Sequence, residues 1–382
     1  MVKRICLFTA HSPAGGGGSV ILRSLITNLP EFSFSWKYLA NSKHNDYPNG
    51  YLGQGIMNSG LVKAIYHTWV MLAGIRSKGI SSIVKELLAV DCDAYWVVSH
   101  NEGLRVALEL ARIQQQRPVH LTVHDDWAGA ICARSFRFRA FKGTANRLTV
   151  KTLTIVSSFD VISANMKAYY KDMCGIEGRV CHRYLPVNAI APQAEGPAKD
   201  LDEISVGHIG SVYDKNDFIK FVSLLHNWSM ANGKKTVIRM WGCHLKTQDI
   251  PHHLQPIVIF YKGLPEAEVI PMLRKCHFVY AMYPFANVLR TFTETSLPTK
   301  LTTYVEAGRP IFAHCPPRSS LRKFIQDTNT GIVWNGGNTS TGLEACTAIL
   351  NINVPHGTWA NVRNTYFGEN NVHTMRQIFN QH

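Results

Sequence analysis

The sequence has 382 residues, of which 46% are hydrophobic and 17% are charged, and its formal net charge is +14. This length suits two domains better than one core, and the composition excludes a disordered chain. The positive charge favours an acidic partner: a nucleotide, an anionic membrane or a nucleic acid. The basic residues are spread along the chain, which argues against a dedicated nucleic-acid arm. No stretch has the apolar length of a membrane span.

The nine cysteines form no CxxC pair and no spacing typical of metal ligands. An odd number of scattered cysteines suggests reduced thiols, so we expect a cytoplasmic protein. Residues 1–6 carry a basic pair and begin only a short apolar run, which predicts a first strand rather than a signal peptide.

The chain opens with a predicted strand at 5–10, a loop that contains the glycines 15–18, and a helix from Val20. This order is typical of the first unit of a nucleotide-binding α/β domain. The loop is neither GxGxxG nor a P-loop, because no Gly-Lys-Ser/Thr follows it. The glycines either let a ligand approach the backbone closely or form only a flexible turn.

Polar side chains follow three predicted strands of the first half. His11, His100 and His124 each come directly after a predicted strand, and Asp125 follows His124. The carboxyl ends of parallel strands are where α/β proteins place ligands. The three histidines therefore predict a binding site at this edge of the first sheet.

The stretch 61–90 predicts two helical segments. It contains Trp69 and four interspersed basic residues, Lys63, Arg76, Lys78 and Lys85. A basic helix with Trp and Leu can lie on an anionic membrane surface. The alternative is a pair of helices that cover the sheet and present a solvated basic face.

A change of composition divides the chain. Residues 189–203 are rich in Pro, Ala and charge and lack apolar periodicity, which predicts a linker. The linker separates a first domain, 1–188, from a second domain, 204–360, and a helical segment, 361–382, follows. The last strand of the first half is expected at 184–188. The second half again alternates strands and helices, with strands expected at 204–210, 236–241, 257–261, 277–283, 310–314 and 331–334 and a loop that contains Arg290 at 284–295.

The segment 296–313 predicts a short helix that ends at Gly308 and leads directly into a buried strand. Lys300, Thr303 and Tyr304 have the spacing of one helix face. A helix that begins beside a lysine and hydroxyl groups suits an anionic ligand, because its first N–H groups are free to bind it. The alternative is an ordinary crossover helix of an α/β protein.

Short motifs that lie along nearly the whole chain occur in an order typical of one protein family. In the second half they are His208-Ile209-Gly210-Ser211-Val212 with Lys215-Asn216, Tyr261-Lys262-Gly263, and Ser296-x-Pro298-x-Lys300-x-x-x-Tyr304-x-x-x-Gly308-x-Pro310. In the first half they are the glycines 15–18, His124-Asp125, and Asp160-Val161-Ile162-Ser163 with Tyr169-Tyr170. Together they resemble a GT-B glycosyltransferase and are most similar to glycosyltransferase family 4.

The resemblance implies an α/β fold of two Rossmann-like domains that face each other across a cleft. The first domain would hold a glycan or lipid-linked acceptor, and the second a nucleotide-diphosphate sugar. The implied enzyme is a hexosyltransferase that retains anomeric configuration and needs neither metal nor cofactor. With the basic first half, it also implies peripheral contact with the inner face of an anionic membrane, and no nucleic-acid partner is expected.

The resemblance also assigns roles to residues. Lys215 would neutralise the leaving diphosphate, Lys300 would lie near the same phosphates, and His124 near the reacting sugar. The donor would be bound by Gly16, Gly17, Gly210, Ser211, Arg290, Thr299, Thr303 and Tyr304, and the acceptor by His11, His100 and Asp125.

Two positions depart from the family pattern. Thr303 stands where the family has a glutamate that holds the ribose hydroxyls, and Ser211 stands where it has an arginine. Arg290 is a candidate substitute for the arginine, whereas Glu294 and Glu306 do not have the spacing of the glutamate. A non-catalytic sugar- or nucleotide-binding relative is therefore the main alternative.

Other classes have weaker support. Asp91-Cys92-Asp93 matches the DXD of metal-dependent GT-A enzymes, but it precedes a predicted strand where theirs follows one, so we expect no metal site. A sugar-nucleotide epimerase would share the two-domain plan but needs clustered acid and base residues that the sequence does not indicate. A nucleic-acid-binding protein fits the charge alone, because no module signature supports it.

Overall fold

The computed structural model describes residues 2–55, 61–72, 78–114, 116–133, 136–186 and 203–381. The chain divides into two compact units. The first comprises Met1–Tyr184, Glu294–Ser296 and Glu369–His382, and the second comprises Leu185–Thr293 and Leu297–Gly368. The predicted linker lies outside the described residues except for Glu203, which begins a strand.

The first unit is built on six strands. They are β1 (Lys3–Thr9), β2 (Phe32–Tyr38), β3 (Ala94–Val98), β4 (Val119–Val123), β5 (Ser158–Val161) and β6 (Arg179–Val180). They form one parallel sheet in the order β2-β1-β3-β4-β5-β6. Every residue of β3 and β4 is buried, as expected when helices cover both faces of a sheet.

Helices connect these strands. They are α1 (Gly18–Thr27), α2 (Leu61–Leu72), α3 (Lys78–Leu88), α4 (Gly103–Ile113), α5 (Trp127–Ala133), α6 (Lys142–Ile155) and α7 (Ala164–Cys174), with 3-10 turns at Pro48–Gly50 and Phe136–Phe141. Local sequence sets their ends. Ser163 caps α7 by accepting from the N–H of Met166 at 3.0 Å, and Gly175 ends that helix with φ 74°.

The second unit repeats this plan. Its strands are β7 (Glu203–Ile209), β8 (Lys235–Trp241), β9 (Val258–Tyr261), β10 (Phe278–Met282), β11 (Ile311–His314) and β12 (Gly331–Trp334). They form a parallel sheet in the order β12-β11-β10-β7-β8-β9. Aromatic packing fills its core, where the rings of Phe221 and Tyr280 stack 3.9 Å apart.

The remaining helices follow in chain order. They are α8 (Lys215–Asn232), α9 (Glu266–Arg274), α10 (Arg290–Thr295), α11 (Lys300–Ala307), α12 (Ser320–Thr328), α13 (Thr339–Asn351), α14 (His356–Phe367) and α15 (Glu369–Asn380), with 3-10 turns at Thr247–Asp249, His252–Ile257 and Asn287–Leu289. The predicted α/β class with two Rossmann-like domains is confirmed by the two sheets and their helices.

Both sheets contain a point where the order of strands reverses. In the first unit it lies between β1 and β3, and in the second between β7 and β10. A reversal of this kind leaves a crevice at the carboxyl ends of the two strands, where α/β proteins commonly bind ligands.

The structure corrects two local predictions. We expected the last strand of the first half at 184–188, but Tyr184 and Leu185 lie outside the strands and the sixth strand is β6. The N–H of Leu185 donates instead to the carbonyl of Phe367 at 2.7 Å. The stretch 284–295, expected to be a loop, ends in α10, so Arg290 begins a helix.

The predicted C-terminal segment, 361–382, begins within α14 and includes α15. α15 belongs to the first unit. The ring of Phe379 lies 5.3 Å from that of Trp96 and 5.5 Å from that of Phe32, and the Lys3 ammonium donates to the carbonyl of Phe379 at 2.7 Å. The end of the chain therefore completes the core formed near its beginning.

Candidate functional site

The switch point of the second unit is lined by the loop that follows β7. Gly210 has φ 71°, a left-handed conformation that favours glycine, and its N–H donates to the carbonyl of Trp241 at 2.8 Å. The next residue, Ser211, is exposed, and its carbonyl accepts from the Lys300 ammonium at 2.9 Å. The loop that carries two predicted donor-binding residues is thus held against the first residue of α11.

Lys300 is clamped by neutral groups. Its ammonium lies 3.5 Å from Nε2 of His208 and 5.5 Å from the ring centre of Tyr213. Nδ1 of His208 donates to the carbonyl of Tyr280 at 2.9 Å, so Nε2 faces the ammonium as an acceptor. Burial lowers the pKa of Lys300 to about 7, and burial together with Lys300 lowers the pKa of His208 to about 3. An anion that enters this site would favour the charged form of the amine.

Lys215 lies at the other end of the same loop, as the first residue of α8. Its side chain is 48% exposed, and its ammonium lies 3.5 Å from a carboxylate oxygen of Asp249. Asp214 caps the helix by accepting from the N–H of Asp217 at 3.0 Å. The loop between β7 and α8 therefore has a lysine at its end and a second lysine, Lys300, bonded to its backbone.

The other predicted donor-binding residues of this unit differ in exposure. Thr299 precedes α11, and its carbonyl accepts from the N–H of Thr302 at 3.2 Å. Tyr304 is fully buried, and its hydroxyl donates to the carbonyl of Tyr280 at 2.9 Å and accepts from the N–H of Ile209 at 3.3 Å. Its described contacts hold α11 to the sheet. Arg290 begins α10 and is exposed, whereas Thr293 and Thr295 on the same helix are buried.

Thr303 contacts Glu266, a residue that no sequence motif indicated. Its hydroxyl donates to Oε1 of Glu266, in the first turn of α9, at 2.5 Å. α9 packs against α11. The two residues lie 37 positions apart on different helices, so no spacing rule connects them. The only signal in the sequence was a proline followed by two glutamates at a helix start.

The first unit gathers the three predicted histidines at its own switch point. The rings of His11 and His100 meet edge to face at 5.7 Å. A Cβ added to Gly18 would lie 2.8 Å from Nδ1 of His124 and 3.8 Å from Nε2 of His11. The start of α1 therefore packs directly onto two of these rings because residue 18 has no side chain.

Two of these histidines, His11 and His124, have lowered pKa values. Burial, with smaller contributions from His100 and His124, lowers the pKa of His11 to about 3, and burial also lowers the pKa of His124. Among the described residues, Nε2 of His11 is buried without a hydrogen-bond partner. A neutral ring nitrogen can accept from or donate to a hydroxyl, so this cluster suits a polar, uncharged group.

The remaining predicted residues lie around this cluster. Gly16 and Gly17 are exposed in the loop before α1, and Gly17 has φ 57°. Asp125 follows His124, and one of its carboxylate oxygens accepts from the hydroxyl of Ser296 at 3.0 Å. The structure thus brings His11, His100 and His124 together, while Asp125 is engaged by Ser296.

In the part of the chain that the structure describes, no group of three or more His, Cys, Asp or Glu side chains is arranged to hold a metal ion. Asp91 and Asp93 both form ion pairs with Arg4, and the distance from Asp93 Oδ1 to the guanidinium is 3.2 Å. Within the same described ranges, no helix has the length and apolar character that crossing a bilayer requires.

Comparison with known proteins gives a match at the level of structure. No family model matches the sequence. No curated protein matches it either. Among solved structures, sucrose-phosphate synthase from Thermosynechococcus elongatus is 15% identical with a TM-score of 0.67, covering 99% of this chain and 98% of that one. The E. coli trehalose-6-phosphate protein bound with UDP-2-fluoro glucose is 11% identical with a TM-score of 0.66, covering 100% and 99%.

A third structure, the N-terminal domain of Candida albicans trehalose-6-phosphate phosphatase, is 8% identical with a TM-score of 0.69, covering 100% of this chain and 97% of that one. These solved neighbours have the GT-B fold. At such low identity the likeness concerns the fold alone, and it shows that the chain has the GT-B fold.

The lowered pKa of Lys300 predicts a pH-dependent stability. The pKa is about 7 in the folded chain and about 10.4 in an unfolded one. Between these values the unfolded state holds more protons, so this group makes stability rise with pH. Lys300→Met removes the titration. We expect its gain in free energy of unfolding over wild type to be larger at pH 6 than at pH 9, as measured by urea unfolding.

Lys323→Met is the matched control, because Lys323 is exposed and forms an ion pair with Asp327 at 2.8 Å. Its effect should be equal at the two pH values. A Lys300→Met effect that is also equal at both would contradict the assignment.

The packing at Gly18 predicts a steric coupling. Gly18→Ala places a methyl group 2.8 Å from Nδ1 of His124, so we expect a loss of about 1–3 kcal/mol in the free energy of unfolding. The loss should be smaller in a His124→Ala background, as a double-mutant cycle by chemical denaturation would measure. Gly16→Ala, with nothing within 4 Å of its added Cβ, is the control. Equal stability of the two alanine variants would exclude the clash.

Proposed function

We propose that this protein is a glycosyltransferase that moves a sugar from a nucleotide-diphosphate sugar to a hydroxyl group of a glycan or lipid-linked acceptor. The observation that carries the proposal is the contact between Lys300 and the Ser211 carbonyl, which joins a cationic helix start to the glycine loop at the switch point. The departing diphosphate gains negative charge in the transition state, and a fixed cation beside helix N–H groups stabilises it there.

The first unit supports the acceptor side of the proposal. The histidine cluster around Gly18, in which burial lowers the pKa of His11 to about 3, offers ring nitrogens that can form hydrogen bonds with sugar hydroxyls. The fold adds support, because one of its solved neighbours was bound with UDP-2-fluoro glucose. Another was studied for glycosyl transfer with retention. The proposal also includes transfer of a hexose with retention of anomeric configuration, independence of metals and cofactors, and similarity to glycosyltransferase family 4.

Turnover with a panel of nucleotide sugars, followed by product analysis, tests the proposal. Lys300→Ala should lower kcat by about a hundredfold or more, because it removes a group that stabilises the leaving diphosphate. Lys215→Ala should lower it less, since Lys215 is half exposed and shares its charge with Asp249. Lys323→Ala, on the exposed face of α12, is the matched control.

Wild-type turnover in Lys300→Ala would exclude the diphosphate assignment. Binding of nucleotide sugars without any product would favour the non-catalytic alternative, which the departures at Thr303 and Ser211 keep open.

We also propose that the first unit contacts an anionic membrane surface from the cytoplasmic side. Two stretches, 47–85 and 127–159, contain no Asp or Glu; their cations are Lys63, Arg76, Lys78, Lys85, Arg134, Arg137, Arg139, Lys142, Arg147 and Lys151. α2, from the first stretch, packs against α6, from the second. Tyr66 and Trp69 on α2 are 61% and 48% exposed. Exposed aromatic rings on a helix from a basic, acid-free stretch of the sequence fit a bilayer interface.

Sedimentation with lipid vesicles tests this contact. We expect binding to vesicles that contain phosphatidylglycerol, weaker binding to pure phosphatidylcholine, and loss of binding at high salt. Tyr66→Ser/Trp69→Ser should weaken binding about tenfold, because it removes apolar surface from the interface. Tyr261→Ser removes a 41% exposed ring from the second unit and should have no effect. Equal binding to neutral and anionic vesicles would contradict the proposal.

A further inference from the structure

The contact between Glu266 and Thr303 places a carboxylate beside the candidate diphosphate site. Oε1 of Glu266 accepts from the Thr303 hydroxyl at 2.5 Å; Thr303 is buried, and Glu266 is partly buried. The hydroxyl fixes the carboxylate in one orientation, because a donor at this distance restricts rotation of the acceptor. The carboxylate therefore has a defined place at the face of α11.

That place is one helical turn from Lys300. Lys300 and Thr303 are three residues apart on α11, and side chains with this spacing have Cβ atoms about 5–6 Å apart on one face. Glu266 follows the carboxyl end of β9, and α11 follows that of β10, so both helices begin at the same edge of the parallel sheet. A cation and a carboxylate thus lie side by side at this edge.

The two groups require different parts of one ligand. A diphosphate suits the lysine and the helix N-terminus, but a carboxylate repels it. A carboxylate instead accepts hydrogen bonds from hydroxyls, and two neighbouring hydroxyls match its two oxygens. In a nucleoside diphosphate, the ribose next to the phosphates carries such a pair, and acidic residues bind ribose hydroxyls in dinucleotide-binding folds.

We propose that Glu266, oriented by Thr303, accepts the ribose 2′- and 3′-hydroxyls of the donor, so that the site selects ribonucleotides over 2′-deoxyribonucleotides. The inference rests on the proposed function and makes it more specific, because it favours donors such as UDP- or GDP-sugars over dTDP-sugars. Thr303 is a positioning residue in this arrangement. Glu266 brings a carboxylate to Thr303 from the neighbouring helix.

A purely structural role for Glu266 predicts a different result. An acidic residue in the first turn stabilises a helix through its dipole. Removal of the charge would then change the melting temperature but not the preference between ribose and deoxyribose.

The test is calorimetric binding of matched pairs to the full chain: UDP and dUDP, GDP and dGDP, and ADP and dADP. For the base that binds, we expect the ribonucleotide to bind at least about tenfold more tightly than its 2′-deoxy analogue, since one lost hydrogen bond to a charged group has about this effect. Glu266→Gln should reduce this ratio of affinities to about threefold or less. The affinity for the ribonucleotide should fall, and the affinity for the 2′-deoxy analogue should stay unchanged. Glu268→Gln, two residues further along α9 and exposed, should keep the wild-type ratio.

Thr303→Ala keeps the Glu266 carboxylate but removes the hydroxyl that donates to it, so the ratio of affinities should fall in this variant as well. This second variant keeps the test valid if Glu266→Gln does not fold. Equal affinities within each pair, or a wild-type ratio in both variants, would overturn the assignment of Glu266 while leaving the proposed function intact. Failure of all six nucleotides to bind wild-type protein would overturn the proposed function and this inference with it.

Discussion

The hydroxyl of Tyr304 controls the geometry of the second unit. β10 and β7 pair as parallel strands at Phe278 with Val206 and at Val279 with Gly207. Beyond these pairs, the Tyr304 hydroxyl connects the two strands: it donates to the carbonyl of Tyr280 on β10 and accepts from the N–H of Ile209 on β7. A buried hydroxyl that lost these partners would carry a desolvation cost, so α11 is held firmly at the crevice. The position of Lys300, four residues earlier, follows from this anchor.

The two units have different titratable groups at their switch points, although both sheets reverse their strand order there. At the first switch point, His11 lies against the rings of His100 and His124, and burial favours the neutral form of His11 and His124. At the second, burial lowers the pKa of Lys300 to about 7, and a bound anion would favour its charged form. The two units, built on one architecture, thus differ in the titratable groups that line their switch points.

Much of this arrangement could be predicted from the sequence, where local patterns determine it. The strand-like apolar runs, the cap of α7 and the glycine stop of α11 each depend on residues close together in the chain, and the face shared by Lys300 and Thr303 follows from helix periodicity. The contacts of His208 with Lys300 and of Glu266 with Thr303 could not be predicted, because they join residues 92 and 37 positions apart. Arg290 was expected in a loop because the short α10 carries too few turns to produce a clear period.

The return of α15 to the first unit has a consequence for biosynthesis. Phe379 packs among Phe32, Phe34 and Trp96, so an aromatic cluster begun in the first tenth of the chain is closed only by its last turns. A ribosome makes the whole second unit before the residue that completes the first. Until α15 is synthesised, the first unit lacks the residues that cover this apolar cluster. By then all strands of the second unit, which lie between Glu203 and Trp334, have been synthesised. The order of folding would then reverse the order of synthesis.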